Sequence, residues 1–164
     1  MPEVKVRVAL DGDADGVRAI YNREVVSATS TFDLVPRSLA DQRAWLAARR
    51  GAFSAIVAVD GTDVVGFGSL SPYKDRAAYS TTVEDSVYVD RERGGEGIGT
   101  LLLDRLVQIA AASGFHTVMA RIEASSAPSR ALHARCGFEL VGIERQVGRK
   151  FNRWLDVAVM QRLL

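Results

Sequence analysis

Four glycines fall within six positions, Gly94, Gly95, Gly97 and Gly99, and they separate two segments of different period. Before them Thr82 to Val89, TVEDSVYV, is rich in β-branched and aromatic residues and reads as a strand. After them Ile98, Leu101, Leu102, Leu106 and Ile109 recur at helical spacing. A glycine loop opening into a helix presents unpartnered backbone N–H groups at the positive end of the helix dipole, and residues without side chains let an anion, typically a phosphate, come close. Two better-known loops fail on spacing. A Walker loop needs Lys before its Ser or Thr, and Thr100 follows Gly99 directly. A dinucleotide fingerprint needs a third glycine where Thr100 or Leu102 stands. On spacing alone, an anion cradle and a plain tight turn both remain open.

The elements around this loop follow from period and punctuation. Val4 to Leu10 alternates apolar and charged residues as a half-buried strand does, and Asp11 to Asp15 then supplies helix caps ahead of Val17, Ile20, Tyr21 and Val25. Ser27 to Thr31 breaks the pattern as a loop, and Pro36 and Ser38 announce a second helix with Leu39, Trp45 and Leu46. From Phe53 the period is two, through FSAIVAV, the turn Asp60-Gly61 and VVGFGSL, which predicts a hairpin. The polar segment Tyr73 to Ala78 leads into an extended run from Tyr79 to Val89. The glycine-loop helix stops at Gly114, Thr117 to Ile122 is a strand, Ala127 to Arg135 a short helix, and Phe138 to Val141 with Trp154 to Met160 a closing pair of strands. This order predicts a mixed α/β (α+β) fold, a mostly antiparallel twisted sheet with helices on both faces, in one domain over 1–164.

Composition narrows the function classes. At 48% hydrophobic residues the chain can build a core, and a net charge of +1 with both signs interleaved gives no reason to expect a nucleic-acid or membrane partner. A single cysteine, Cys136, excludes an intramolecular disulfide and fits a reducing cytoplasm. No apolar run nears the ~20 residues of a membrane span, and MPEVKVRV lacks a signal-peptide core, so the expected setting is soluble and cytoplasmic.

Three separated blocks, TVEDSVYV at 82–89, IEASSAPSRALHARCGF at 122–138 and VGRKFNRWLDVAVMQ at 147–161, carry a resemblance to the GNAT superfamily of acetyl-CoA-dependent N-acetyltransferases. Within it they resemble the phosphinothricin and methionine sulfoximine acetyltransferase group. The resemblance implies acetyl-CoA as donor, a small amino-acid-like amine as acceptor, no metal, and a homodimer. Position by position it implies that Val87, Tyr88 and Val89 offer strand backbone to the pantetheine arm, and that Arg93, Gly95, Glu96, Gly97, Ile98, Gly99 and Thr100 surround the pyrophosphate, joined by Ser126. Gly94 stands where the family has Arg or Gln, Glu96 where close relatives have Lys, and Ser126 where they have Asn. Glu96 is therefore expected to face solvent while Arg93 supplies the missing charge.

Acetyl transfer to an amine needs a neutral amine, a polarised carbonyl and a protonated leaving thiolate. The resemblance assigns Glu84 as the base and His133, in the register of a superfamily Tyr, as the acid or an aid to the base. A backbone N–H near Val89 is expected to meet the oxyanion. Lys74, Asp75 and Arg76, beside Tyr73, are expected to hold the acceptor together with Glu84, Asp85 and Ser86, carboxylate to cations and amine to acid. Phe32 and Trp154 are aromatics for the acceptor pocket or the core, and Cys136 is expected as a small buried residue. Two other functions stay open: acetylation of a protein or peptide amine, and an acetyl-CoA-binding sensor with little activity.

Overall fold

A computed structural model describes residues 3–164. Strands β1 (Lys5–Val8), β2 (Ile56–Asp60), β3 (Asp63–Pro72), β4 (Thr82–Val89), β5 (Thr117–Glu123), β6 (Glu139–Lys150) and β7 (Arg153–Leu163) form a single sheet in the order β1-β2-β3-β4-β5-β7-β6. Every pairing is antiparallel except β4 with β5. Helices α1 (Ala14–Ser27), α2 (Leu39–Ala48), α3 (Ile98–Ala112) and α4 (Ala127–Arg135) cover it.

Strand alternation divides the core into two layers. Val57, Val59 and Phe67 pack with Val17, Ile20, Tyr21 and Val25 of α1, the face that the 3–4 spacing predicts. Ile56, Ala58, Leu70, Val83 and Val118 turn the other way, onto Ile98, Leu102, Leu103 and Leu106 of α3. Leu101 belongs to the predicted apolar stripe but is exposed, and Leu103 takes the buried position. Burying each such side chain contributes about 1.5–3 kcal/mol. The close seat of α3 needs Gly66 and Gly68: a Cβ there would lie 2.9 Å from Leu102 and 3.1 Å from Leu106. Ser38 starts α2 by accepting a hydrogen bond from the Asp41 N–H at 3.0 Å.

Two expectations need correction. The extended run begins at Thr82, not Tyr79, because Ala77–Tyr79 is a 3-10 turn closed by the Tyr79 N–H on the Arg76 carbonyl. The closing strands are also far longer than 138–141 and 154–160, at twelve and eleven residues. Gly142, Gly148 and the charges between them break the alternation, and irregularities at Leu140/Gly142 and Glu144/Gly148 let the ladder continue past them.

What positions the site is the splay of the parallel pair. β4 and β5 are in register only at Thr82↔Thr117, Val83↔Val118 and Glu84↔Met119. Both strands then run on without pairing to each other, β4 to Val89 and β5 to Glu123.

Candidate active site

A cleft of about 650 Å³ occupies the splay, lined by Asp85 to Val89, Ala120 to Glu123, the glycine loop and α4. On its outer side β4 is satisfied by β3, where the Asp90 N–H donates to the Val65 carbonyl. Successive peptide groups alternate sides along a strand, so the N–H and C=O of Val87 and Val89 face the cleft. At the far end Gly97 caps α3 in the left-handed conformation, φ 81°, with no side-chain cap, and Gly95 has φ 79°. The first-turn N–H groups of α3 have no intrahelical acceptor and point at the cleft, which makes an anion site.

Of the predicted donor-binding positions, Val87, Tyr88, Val89, Arg93, Gly95, Gly97, Ile98, Gly99, Thr100 and Ser126 all line this cleft, and Glu96 does not. Glu96 is only half exposed, and its carboxylate accepts from Arg93 Nε at 2.6 Å. The same guanidinium reaches Asp60 at 3.0 Å, so Arg93 is held by two carboxylates and is no free cation. Asp60 comes from the β2–β3 hairpin, a partner that no local spacing in the loop announces. Arg91 is likewise engaged, donating to Glu24 at 2.7 and 2.8 Å. The anion site therefore rests on backbone more than on side-chain charge.

The two predicted catalytic side chains stand on opposite faces of β4. Glu84, like Tyr88, points to the α1 face. It is half-buried and 4.0 Å from Arg121 Nε, and Arg121 in turn contacts Glu144. Burial raises the Glu84 carboxyl above its ordinary range and nearby Asp85 adds to this, while Arg121 opposes it. Asp85 was expected at the acceptor but alternation turns it to the α4 face. There its carboxylate lies 2.9 Å from His133 Nε2, and both residues are buried. His133 Nδ1 lies 2.8 Å from the Ser129 carbonyl oxygen. Burial lowers the imidazole pKa, but the hydrogen bond to Asp85 outweighs it and the net shift is upward. With an acceptor at each nitrogen, the imidazolium is the form in which both can donate. Asp85 Oδ1 is buried with no partner among the described residues.

Lys74, Asp75 and Arg76 are exposed and outside the cleft lining, with Lys74 Nζ 5.0 and 5.3 Å from the Tyr73 and Tyr79 ring centres. Phe32 packs on Gly148 and Trp154 is exposed beneath Arg149, so neither borders the cleft. Cys136 is buried, and burial pushes its thiol up to about 11, which removes it as a nucleophile. Sequence reasoning missed Arg121 and the aromatic layer of Tyr21, Trp45, Phe67 and Tyr88, on which Arg37 and Arg49 stack. The available signal was the i,i+4 spacing of Trp45 and Arg49.

Residues 17–138 match the acetyltransferase (GNAT) family. The chain is 40% identical over 158 residues to the L-methionine sulfoximine/L-methionine sulfone acetyltransferase of Pseudomonas paraeruginosa, covering 95% of this chain and 92% of that one. It is 39% identical to the phosphinothricin N-acetyltransferase of Streptomyces coelicolor, over 99% and 97% of the two chains. Among solved structures it is similar to a GNAT superfamily phosphinothricin acetyltransferase from Sinorhizobium meliloti in complex with acetyl-CoA, with TM-score 0.94, 36% identity and coverage of 100% and 89%.

Proposed function

This chain belongs to the acetyltransferase (GNAT) family, and from that premise we propose that it acetylates the amine of a small amino-acid-like acceptor of the phosphinothricin or methionine sulfoximine type. The donor is acetyl-CoA, which when bound supplies an activated acetyl thioester. The residues present suit it: an uncapped, glycine-cradled helix start for a diphosphate, and cleft-facing backbone groups on Val87 and Val89 for an amide-bearing arm. Ser126, whose side chain makes no cap hydrogen bond, leaves a hydroxyl free at the start of α4.

The observation that carries the mechanism is the opposed placement of Glu84 and the Asp85–His133 pair across one strand, at the point where β4 and β5 part. Glu84, desolvated and so more basic than an ordinary carboxylate, takes the proton that the acceptor's ammonium must lose. The N–H of Val89 offers a hydrogen bond to developing negative charge on the acyl oxygen. His133, held as an imidazolium by Asp85 and the Ser129 carbonyl, places positive charge on the opposite side of the strand, where a leaving thiolate needs it. Tethered at both nitrogens, it acts by that charge, with Asp85 fixing its orientation, while the departing thiolate takes the second proton that the attacking nitrogen sheds. We place this enzyme in the cytoplasm as a homodimer, a setting in keeping with the free Cys136.

Free-thiol release from acetyl-CoA across phosphinothricin, methionine sulfoximine, an aminoglycoside and an alanine-terminated peptide, with acetyl-CoA binding followed in parallel, tests the reading. Turnover confined to the first two is expected. Turnover of the peptide alone would replace the acceptor, and donor binding without turnover on any amine would make the protein a sensor.

A further inference from the structure

On the α1/α2 face of the sheet two cations stand without a counter-ion. Arg37 and Arg49 stack on the same Trp45 ring, their guanidinium carbons 4.9 and 4.4 Å from its centre. Among the described residues neither forms an ion pair. Arg37 donates to Gln42 Oε1 at 3.2 Å, a neutral partner. Arg49 donates through one terminal nitrogen to the Leu70 carbonyl at 2.6 Å and to Ser71 Oγ at 3.0 Å, while its Nε is buried with no acceptor. Burial, and then the like charge of Arg37, both disfavour the Arg49 cation. A desolvated guanidinium with an orphaned donor and a second cation beside it is what an anion would relieve.

The register says which anion. Ser71 is the cross-strand partner of Glu84, and antiparallel partners share a face. The Arg49 guanidinium, hydrogen-bonded to the Ser71 hydroxyl, therefore sits one strand away from the Glu84 carboxylate, on the same side, with no direct ion pair between them. Partner Cα atoms of this kind lie roughly 5.5 Å apart. An α-amino acid carries an ammonium and a carboxylate separated by one carbon, so its two ends match an anion and a cation held at neighbouring strands on one face. We propose that Arg49, supported by Arg37 and the Trp45 ring, binds the carboxylate of the acceptor while Glu84 receives its amine, so that this arginine selects α-amino acids over simple amines. The selector thus lies at the C-terminal cap of α2, tied to β3, rather than in the exposed Lys74–Arg76 loop. This rests on the amino-acid acetyltransferase reading above.

The test measures initial rates at saturating acetyl-CoA for wild type, R49K and R49Q, on methionine sulfoximine and on the same compound with its carboxylate replaced by hydrogen. For R49Q the KM of the amino acid is expected to rise roughly 30-fold or more with kcat within about 3-fold, since a lost charge-assisted contact weakens binding of substrate and transition state alike. R49K, which keeps a point charge without the fork, should fall between. The carboxylate-free amine should show the same KM in all three proteins, and acetyl-CoA affinity should not move. An equal KM rise on both acceptors would mean that Arg49 only ties α2 to β3, and would overturn the assignment. So would an unchanged KM on the amino acid, in either case leaving the acetyltransferase reading intact. Wild-type enzyme that binds acetyl-CoA yet acetylates no amino acid would bring down that reading and this inference together.

Discussion

Both arginines of the glycine loop are already committed to carboxylates, Arg91 to Glu24 and Arg93 to Asp60 and Glu96, and this sets the electrostatics of the donor site. An anionic donor meets backbone N–H groups there with Glu96 close by, so removing that charge should help it. Glu96→Gln is expected to tighten acetyl-CoA binding roughly 3- to 10-fold at low ionic strength, with the gain shrinking as salt is added. A calorimetric titration at two salt concentrations checks it, and weaker binding would mean that the Arg93–Glu96 pair is needed to hold the loop. Glu84 makes the opposite case. For the base proposed above, conversion to Gln should lower kcat about 100-fold or more and leave the acetyl-CoA Kd unchanged. Its carboxyl is raised by burial, so the limb of kcat/KM that falls toward acid should lie above the ordinary Glu value of about 4.3. Arg121 opposes that rise, so R121Q should move the limb to still higher pH. A limb that stays in place would separate Arg121 from the base. The long-range pairings were not legible in the chain, since Asp60 approaches from the β2–β3 hairpin and Arg121 from β5, and the glycine spacing marked a loop that suits an anion or a plain turn, the roles expected of Val87 to Thr100 coming from the family resemblance.

At the scale of elements, periodicity located every strand and helix that builds the site and failed where side-chain alternation is interrupted. Strand β6 is the instructive failure: Gly142 and Gly148 carry no apolar signal, and two irregularities shift its register, yet its ladder with β7 persists to Lys150↔Arg153. The connection is a two-residue turn, Phe151 and Asn152, with φ 52° and 58°. Left-handed backbone at both positions matches the twist of a hairpin, but Asn and Gly adopt it far more readily than an aromatic residue, so Asn152 alone marked the turn. The exposed Phe151 side chain gives little packing in return. Phe151→Asn with Asn152→Gly should therefore stabilise the fold by about 1 kcal/mol, a rise of about 2–4 °C in Tm for a chain of this size. Thermal unfolding followed by circular dichroism measures it. A fall in Tm would show that Phe151 is covered in the assembled protein, which is a question for the whole molecule.

The sheet has two edges and they are guarded unequally. β1 is four residues long and carries Lys5 and Arg7, the short, charged form that discourages further pairing. β6 is twelve residues long and leaves Leu140, Val141, Ile143 and Val147 43–58% exposed. With a net charge of only +1 the molecule has little repulsion to keep such a surface apart from its own copy. A two-fold axis beside β6 would cover those side chains in both protomers at once, because an isologous contact buries the same patch twice. Sedimentation velocity at tens of micromolar should accordingly find a dimer, and V141K with I143K should convert it to a folded monomer with unchanged helix and strand signal. The donor cleft lies at the β4–β5 splay, with β7 between it and β6, so the monomeric variant should still bind acetyl-CoA. Wild type that sediments as a monomer would remove the second copy from this edge, and a variant that loses donor binding along with dimerisation would mean that the cleft depends on its partner.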